Sequence, residues 1–196
     1  MKLIILEGGD RLGKSTLIEG LCKHFNYDNI SIRHFGKPPK KLDSNQVLLF
    51  QFICFSKEAE FIDAFKFIGA DNYYDNIIIW NRSHLGEYVY SQMFRGVDGE
   101  EIKNQLTHWE HFKLLLNNED IDMHLITLTA DPEFFLSKED GESFSKNLEE
   151  KTKELQLFKE AHEFSLIKNK LLIKVDNNGE FKSKEEILNE VLNFIK

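Results

Sequence analysis

The chain of 196 residues is short of the groups that staple or anchor a protein. Its two cysteines, Cys22 and Cys54, both fall in stretches that read as helices, and neither has a C-x-x-C spacing. That excludes a disulfide framework and a cysteine zinc site, and it fits a reducing, cytoplasmic setting. Long apolar runs are also missing. Leu3-Ile4-Ile5-Leu6 is far too short for a signal-peptide core or a membrane span, so no membrane association is expected. Positive charge is the scarcer sign, with 25 Lys and Arg against 33 Asp and Glu and a net charge of −8. Such a chain repels polyanions, and no nucleic-acid partner is expected. The one dense basic stretch, Lys37-Pro38-Pro39-Lys40-Lys41, reads as a solvated loop.

Arginine is rarer still. Only Arg11, Arg33, Arg82 and Arg95 break a cationic set otherwise built on lysine. Ordinary surface charge here is carried by Lys, so an Arg placed where a planar fork suits phosphate is informative.

A hydrophobic content of 41% is enough for one globular domain over residues 1–196. Short apolar runs alternate with helical stretches, the pattern of an α/β protein. Strands are expected at Lys2–Leu6, Ile30–Phe35, Ile77–Trp80, His124–Leu128 and Leu171–Val175, each too apolar to alternate and so covered on both faces. Helices are expected at Lys14–Phe25, Gln46–Ile68, His84–Phe94, Glu100–Asn117, Asn147–Lys168 and Lys184–Phe194. The predicted fold is a three-layer sandwich, with a five-stranded parallel sheet flanked by helices. Its binding crevice would lie at the carboxyl ends of the strands, near Gly8, Phe35 and Asn81. Loops Phe35–Asp43 and Ser137–Lys146 connect these elements.

Between the first strand and first helix stands Gly8-Gly9-Asp10-Arg11-Leu12-Gly13-Lys14-Ser15-Thr16, a complete G-x-x-x-x-G-K-[ST] loop. Strand before and helix after are the context that gives this pattern meaning. Backbone N–H groups and the positive end of the helix cradle phosphate oxygens. Lys14, read as an exposed loop lysine, reaches the terminal phosphates of ATP, and the Ser15 hydroxyl sits on Mg²⁺. A guanidinium at Arg11, beside that lysine, can neutralise charge spreading over a transferring phosphoryl group.

With Glu7 included, this stretch resembles the E-G-x-D-x-x-G-K-S-T of thymidylate kinases, within the P-loop nucleoside monophosphate kinases. The resemblance implies that Asp10 contacts the 3′-hydroxyl of a deoxynucleotide and that Arg11 is catalytic. Asn81-Arg82-Ser83 is similar to the family's D-R-[YFS] segment, which implies that Arg82 grips the acceptor monophosphate. Tyr90 then occupies the place of an aromatic ring against the sugar. Leu48-Leu49-Phe50 is similar to a stretch whose Phe stacks on the acceptor base. Asp131-Pro132-Glu133 starts a helix after the fourth strand, and Glu139–Phe144 lies at the lid position, within about 137–146. The lid has Lys138 and Lys146 but no Arg, so the chain looks like the arrangement with its arginine in the loop. A homodimer is implied by the resemblance alone.

Two departures limit what carries over. Asn81 stands where the family has Asp, which leaves Ser15 as the only defensible metal ligand. Cys54 stands where thymidylate kinases have an Arg reading the base edge, so base identity is open. The expected partners are ATP and a deoxynucleoside monophosphate, with dTMP or a related pyrimidine as acceptor. A deoxynucleoside kinase is the alternative, because Asn81-Arg82-Ser83 also resembles that family's E-R-S segment. A P-loop module that binds ATP without transferring phosphate is the alternative outside the kinases. His108 and His111, at i and i+3, have no third ligand at suitable spacing and read as helix-surface groups. Glu149–Glu154 reads as a solvated helix face with intrahelical pairs.

Overall fold

Five strands form the centre of the protein: β1 (Lys2–Gly8), β2 (Ile30–His34), β3 (Ile77–Asn81), β4 (Asp122–Thr129) and β5 (Asn169–Lys174). This computed structural model describes residues 1–26, 30–35, 38, 39, 41–67, 76–116 and 118–196, without the side chains of 65–67. The strands lie in the order β2-β3-β1-β4-β5, and each neighbouring pair is parallel.

Successive side chains of a strand point to opposite faces, and the two cores follow that parity. Leu3 and Ile5 of β1, with Ile78 and Trp80 of β3, pack against α2 (Ser44–Phe67), α3 (Leu85–Arg95), α4 (Gly99–Trp109) and α6 (Leu148–Phe164). Ile4 and Leu6, with Ile77 and Ile79, pack against α1 (Lys14–Phe25), α5 (Pro132–Ser137) and α7 (Lys184–Phe194). The expected three-layer α/β sandwich is therefore the observed one. The edge strands β2 and β5 are only partly covered, unlike the fully buried β3.

Helices α1 and α7 have the expected bounds. The end of the Glu100–Asn117 stretch differs. Asp98 caps α4 by accepting from the N–H groups of Glu100 and Glu101, and after Trp109 the chain widens into a π-helical segment, Glu110–Leu115. That wider turn aims Glu110 inward, where it meets His84 at 2.9 Å and the Ser165 hydroxyl at 2.7 Å. Helix α6 stops at Phe164, short of the expected Lys168, because Ser165 leaves the helical conformation to make that bond. Ile68 and Asn117, the expected ends of two helices, lie outside the described residues, as do Lys37 and Lys40 of the basic stretch.

A hairpin was not expected from the sequence. Strands β6 (Asp176–Asn177) and β7 (Glu180–Phe181) pair antiparallel about Asn178-Gly179, both at positive φ. Asn-Gly is the strongest two-residue hairpin signal, and it was present to be read.

Candidate active site

Strand register assembles the site. Leu6 of β1 sits opposite Asn81 of β3, which in turn sits opposite His34 of β2. Strands β2 and β3 thus end level with Leu6, β1 runs on two residues to Gly8, and Arg82 N–H donates to the Leu6 carbonyl at 2.9 Å. Arg82 has φ +70°, a conformation that costs a non-glycine residue energy and here turns its side chain toward the loop after β1. Its guanidinium makes an ion pair with Asp10. Residues 72 apart in sequence meet because the loops after two neighbouring parallel strands leave the same end of the sheet.

In the loop itself, Gly8 has φ +125°, and a Cβ there would lie 2.4 Å from the Leu128 carbonyl oxygen, so no side chain fits. Lys14 is buried rather than exposed, a correction to the sequence reading. Its ammonium donates to the carbonyls of Gly8 and Gly9 at 2.6 and 2.7 Å, folding the lysine back over the loop. Burial, then the positive charge of Arg82, pushes Lys14 down to about 8. Arg11 also has positive φ, at +68°, and pairs with Asp140 in the lid segment. Glu7 is buried. Ser83 donates to its Oε1 at 2.5 Å, its Oε2 has no partner among the described residues, and burial raises its carboxyl above the ordinary value.

Two cavities meet at Arg82. The first, of about 520 Å³, is walled by Asp10, Arg11, Gly13, Lys14, Ser15 and Thr16, and bordered by Glu142 and Phe181. The second, much smaller at about 90 Å³, runs from Glu7 and Arg82 past Phe35, Phe55, Tyr90 and Phe144. Of the residues singled out from sequence, the structure brings Gly8, Asp10, Arg11, Gly13, Lys14, Ser15, Thr16, Arg82 and Tyr90 to these two cavities. Gly9 and Leu12 belong to the same loop, with Leu12 fully buried beneath it.

Phe50 does not join them. It lies 37% exposed on the outer side of α2, while Gln51 and Phe55, on the buried face, reach the second cavity. Tyr90 does line that cavity, but its hydroxyl is already committed, donating to Glu154 at 2.9 Å.

The charged tract of α6 also departs from expectation. Lys151 and Glu154 are buried. Lys151 donates to Glu139 of the lid segment at 2.7 Å and lies 4.0 Å above the Phe135 ring. Glu154 accepts from Tyr90 and from Ser145. Phe135 in turn fills the space behind Gly9, where a Cβ would come within 2.3 Å of its ring.

An oxygen-rich set borders the first cavity. Ser15 faces the opening, and Asn81 has a buried Oδ1 without a partner among the described residues while its Nδ2 meets His34 Nδ1 at 2.9 Å. Hydroxyl and amide oxygens beside phosphate suit a hard cation such as Mg²⁺. Among the described residues, no three His, Cys, Asp or Glu are grouped to hold a metal by themselves. No helix there is long and apolar enough to cross a membrane.

The depressed Lys14 has a measurable consequence. Between about pH 8 and its ordinary 10.5, the folded protein binds fewer protons than the unfolded chain, so stability rises with pH across that window. Phosphate binding runs the other way, since the ammonium is what attracts the anion. ATP affinity, titrated calorimetrically at pH 7.5 and 9, is expected to fall by up to about tenfold. An unchanged affinity would mean that Lys14 stays charged throughout.

Fold and loop together define the class: this is the P-loop NTPase fold. No protein-family model matches the sequence, and no curated protein matches it. Solved structures do. The chain is similar to thymidylate kinase from Ehrlichia chaffeensis, with TM-score 0.60 and 16% identity over 100% of this chain and 98% of that one. It is similar to deoxyadenosine kinase from M. mycoides with bound dATP, with TM-score 0.54 and 16% identity, covering 98% of each. The YorR protein from Bacillus subtilis, in complex with phosphorylated GDP, gives TM-score 0.60 and 18% identity over 99% and 95%. These are likenesses of fold, and each of the two named enzymes is a P-loop kinase.

Proposed function

We propose that the chain is an ATP-dependent deoxynucleoside monophosphate kinase of the thymidylate kinase type. The acceptor would be dTMP or a related pyrimidine deoxynucleotide. The observation that carries this reading is the meeting of the two cavities at Arg82. One is walled by the phosphate loop, the other by aromatic rings together with buried carboxylates, and the Arg82 guanidinium borders both. In that frame, Lys14 and the loop N–H groups hold the β- and γ-phosphates, while Arg82 holds the acceptor phosphate in line with them. Arg11 meets charge as it develops on the transferring group. Ser15 would hold Mg²⁺ directly and Asn81 Oδ1 through water; the ion would neutralise the donor phosphates. The protein's part is positioning and charge neutralisation, with no covalent intermediate.

A deoxynucleoside kinase is the second reading, and Glu7 is what favours it. A buried carboxyl lining the second cavity, with one oxygen unpartnered among the described residues, would take the proton of a 5′-hydroxyl. A panel of nucleosides and monophosphates with Mg–ATP, read as ADP coupled to product, separates the two. Product from monophosphates alone supports the first reading, and product from nucleosides alone replaces it.

Arg82→Ala is expected to raise KM for the monophosphate far more than for ATP. Arg82→Lys should restore only part of it, because an ammonium lacks the planar fork. Steady-state kinetics with each substrate varied in turn checks this, and equal effects on both would make Arg82 structural.

A further inference from the structure

A residue in a costly backbone conformation, as Arg82 is, persists only where its surroundings over-determine it. Three consecutive residues are tied here, each to a different partner. Arg82 N–H donates to the Leu6 carbonyl, Ser83 donates to Glu7, and His84 meets Glu110 at 2.9 Å. The first two ties run to β1, and the third reaches across the helical layer. His84 is fully buried, with its ring against those of Trp109 and Phe55, at centroid distances of 4.8 and 6.2 Å. Glu110 is buried too, and it accepts from His84, the Ser165 hydroxyl and the Leu166 N–H. A carboxylate has acceptors only, so His84 Nε2 carries the proton in that contact. Burial raises the Glu110 carboxyl, but these bonds outweigh it and hold the group below its ordinary value. Glu110 opens the π-helical segment that aims it inward, and such widened turns are frequent at functional sites. Among the described residues that line the two cavities, neither His84 nor Glu110 is found.

We propose that Glu110 is a positioning residue: through His84 it holds the turn that keeps Arg82 in its costly conformation, and so aims the guanidinium at the acceptor phosphate. The part that concerns the acceptor rests on Arg82 holding that phosphate, as proposed above. A hydrogen bond to an ionised group is stronger than one between neutral groups, and its loss in a buried place lets the turn relax toward an ordinary conformation. A misplacement of about 1 Å, caused far from the chemistry, can cost on the order of 100-fold. Glu110 thus acts on acceptor binding without touching the acceptor.

The test compares the full chain with Glu110→Gln, which keeps the shape of the side chain and removes its charge. Amide hydrogen exchange, read by NMR, follows the Arg82 N–H that bonds Leu6, with the Leu125 N–H in the middle of β4 as control. Exchange at Arg82 is expected to rise about 10-fold or more, with Leu125 unchanged. Calorimetric titration with dTMP, dCMP, dGMP and dAMP, beside a non-hydrolysable Mg–ATP analogue, gives the affinities. The tightest monophosphate should bind about 10-fold more weakly to the variant, and the analogue as before. In an Arg82→Ala background, Glu110→Gln should add nothing to the loss, because both changes remove the same contact. His84→Gln, whose amide still donates to Glu110, should behave nearly as the unmodified protein, and His84→Leu should match Glu110→Gln. If Glu110→Gln does not fold, Ser165→Ala, which removes one donor to the carboxylate, takes its place, with an expected rise in Arg82 exchange of about threefold. Equal acceleration at Arg82 and Leu125, or none at Arg82, overturns the proposal. So does a loss of acceptor affinity that adds in full to that of Arg82→Ala. If none of the four monophosphates binds the unmodified protein, the proposed function falls, and exchange at Arg82 alone decides the role of Glu110.

Discussion

Replacing Lys14 by alanine is expected to abolish phosphoryl transfer, lowering kcat by at least about 10³-fold, with the fold retained. The ammonium is the cation that the loop presents to the donor phosphates, held in place by its hydrogen bonds to the Gly8 and Gly9 carbonyls. Its removal should not unfold the protein. Burial already disfavours the charged lysine, so the loss of two hydrogen bonds to carbonyls is offset by relief of that penalty. The expected result is a thermal midpoint near that of the unmodified protein, measured by circular dichroism, beside turnover at background. Near-normal turnover would remove the proposed function altogether.

Arg11→Ala is expected to lower kcat by about 10²–10³-fold with only a modest change in ATP affinity. The residue stands at the rim of the first cavity, in a backbone conformation that costs energy, and its charge is met by Asp140. A cation that strengthens its hold only as charge develops affects the rate and not the ground state. The lid segment carries no second arginine. Lys138 lies over the rings of Phe134 and Phe181, and Lys146 donates to the Gly141 carbonyl, so neither lysine is free to take over. Single-turnover kinetics with ATP binding measured separately gives the comparison. A variant that keeps its kcat and loses only ATP affinity would make Arg11 a simple phosphate contact.

What was legible in the sequence was local. The strand–loop–helix around Gly8–Thr16 follows from neighbouring residues, and so do the bounds of α1 and α7. Of the four arginines, Arg11, Arg82 and Arg95 border the two cavities, while Arg33 pairs with Glu58 and covers Phe61. The failures were of burial. Helix α2 carries apolar residues nearly all round, so nothing in its pattern decides between Phe50 and Phe55 for the inward face. Lys151 and Glu154 sit in a run of charges that looks solvated, because the groups that make their burial affordable, Glu139, Tyr90 and Ser145, come from other elements. Glu87 and Arg95, which also line the second cavity, escaped for a related reason. Their spacing was visible, but which way α3 turns its faces depends on the sheet beneath it.

The ring of Phe135 behind Gly9 narrows which sequences this loop can accept. In G-x-x-x-x-G-K-[ST] the second position is unrestricted, since phosphate is held by backbone N–H groups whatever the side chain. Here that freedom is withdrawn by a neighbour. Phe135 is fully buried, and with Lys151 lying over its ring it has nowhere to retreat, so any residue larger than glycine at position 9 would push the loop itself out of line. A pattern drawn from phosphate chemistry alone therefore overstates the tolerance of this chain. Substitutions at position 9 would have to be matched by a smaller residue at 135, tying the composition of the nucleotide loop to a helix more than a hundred residues away.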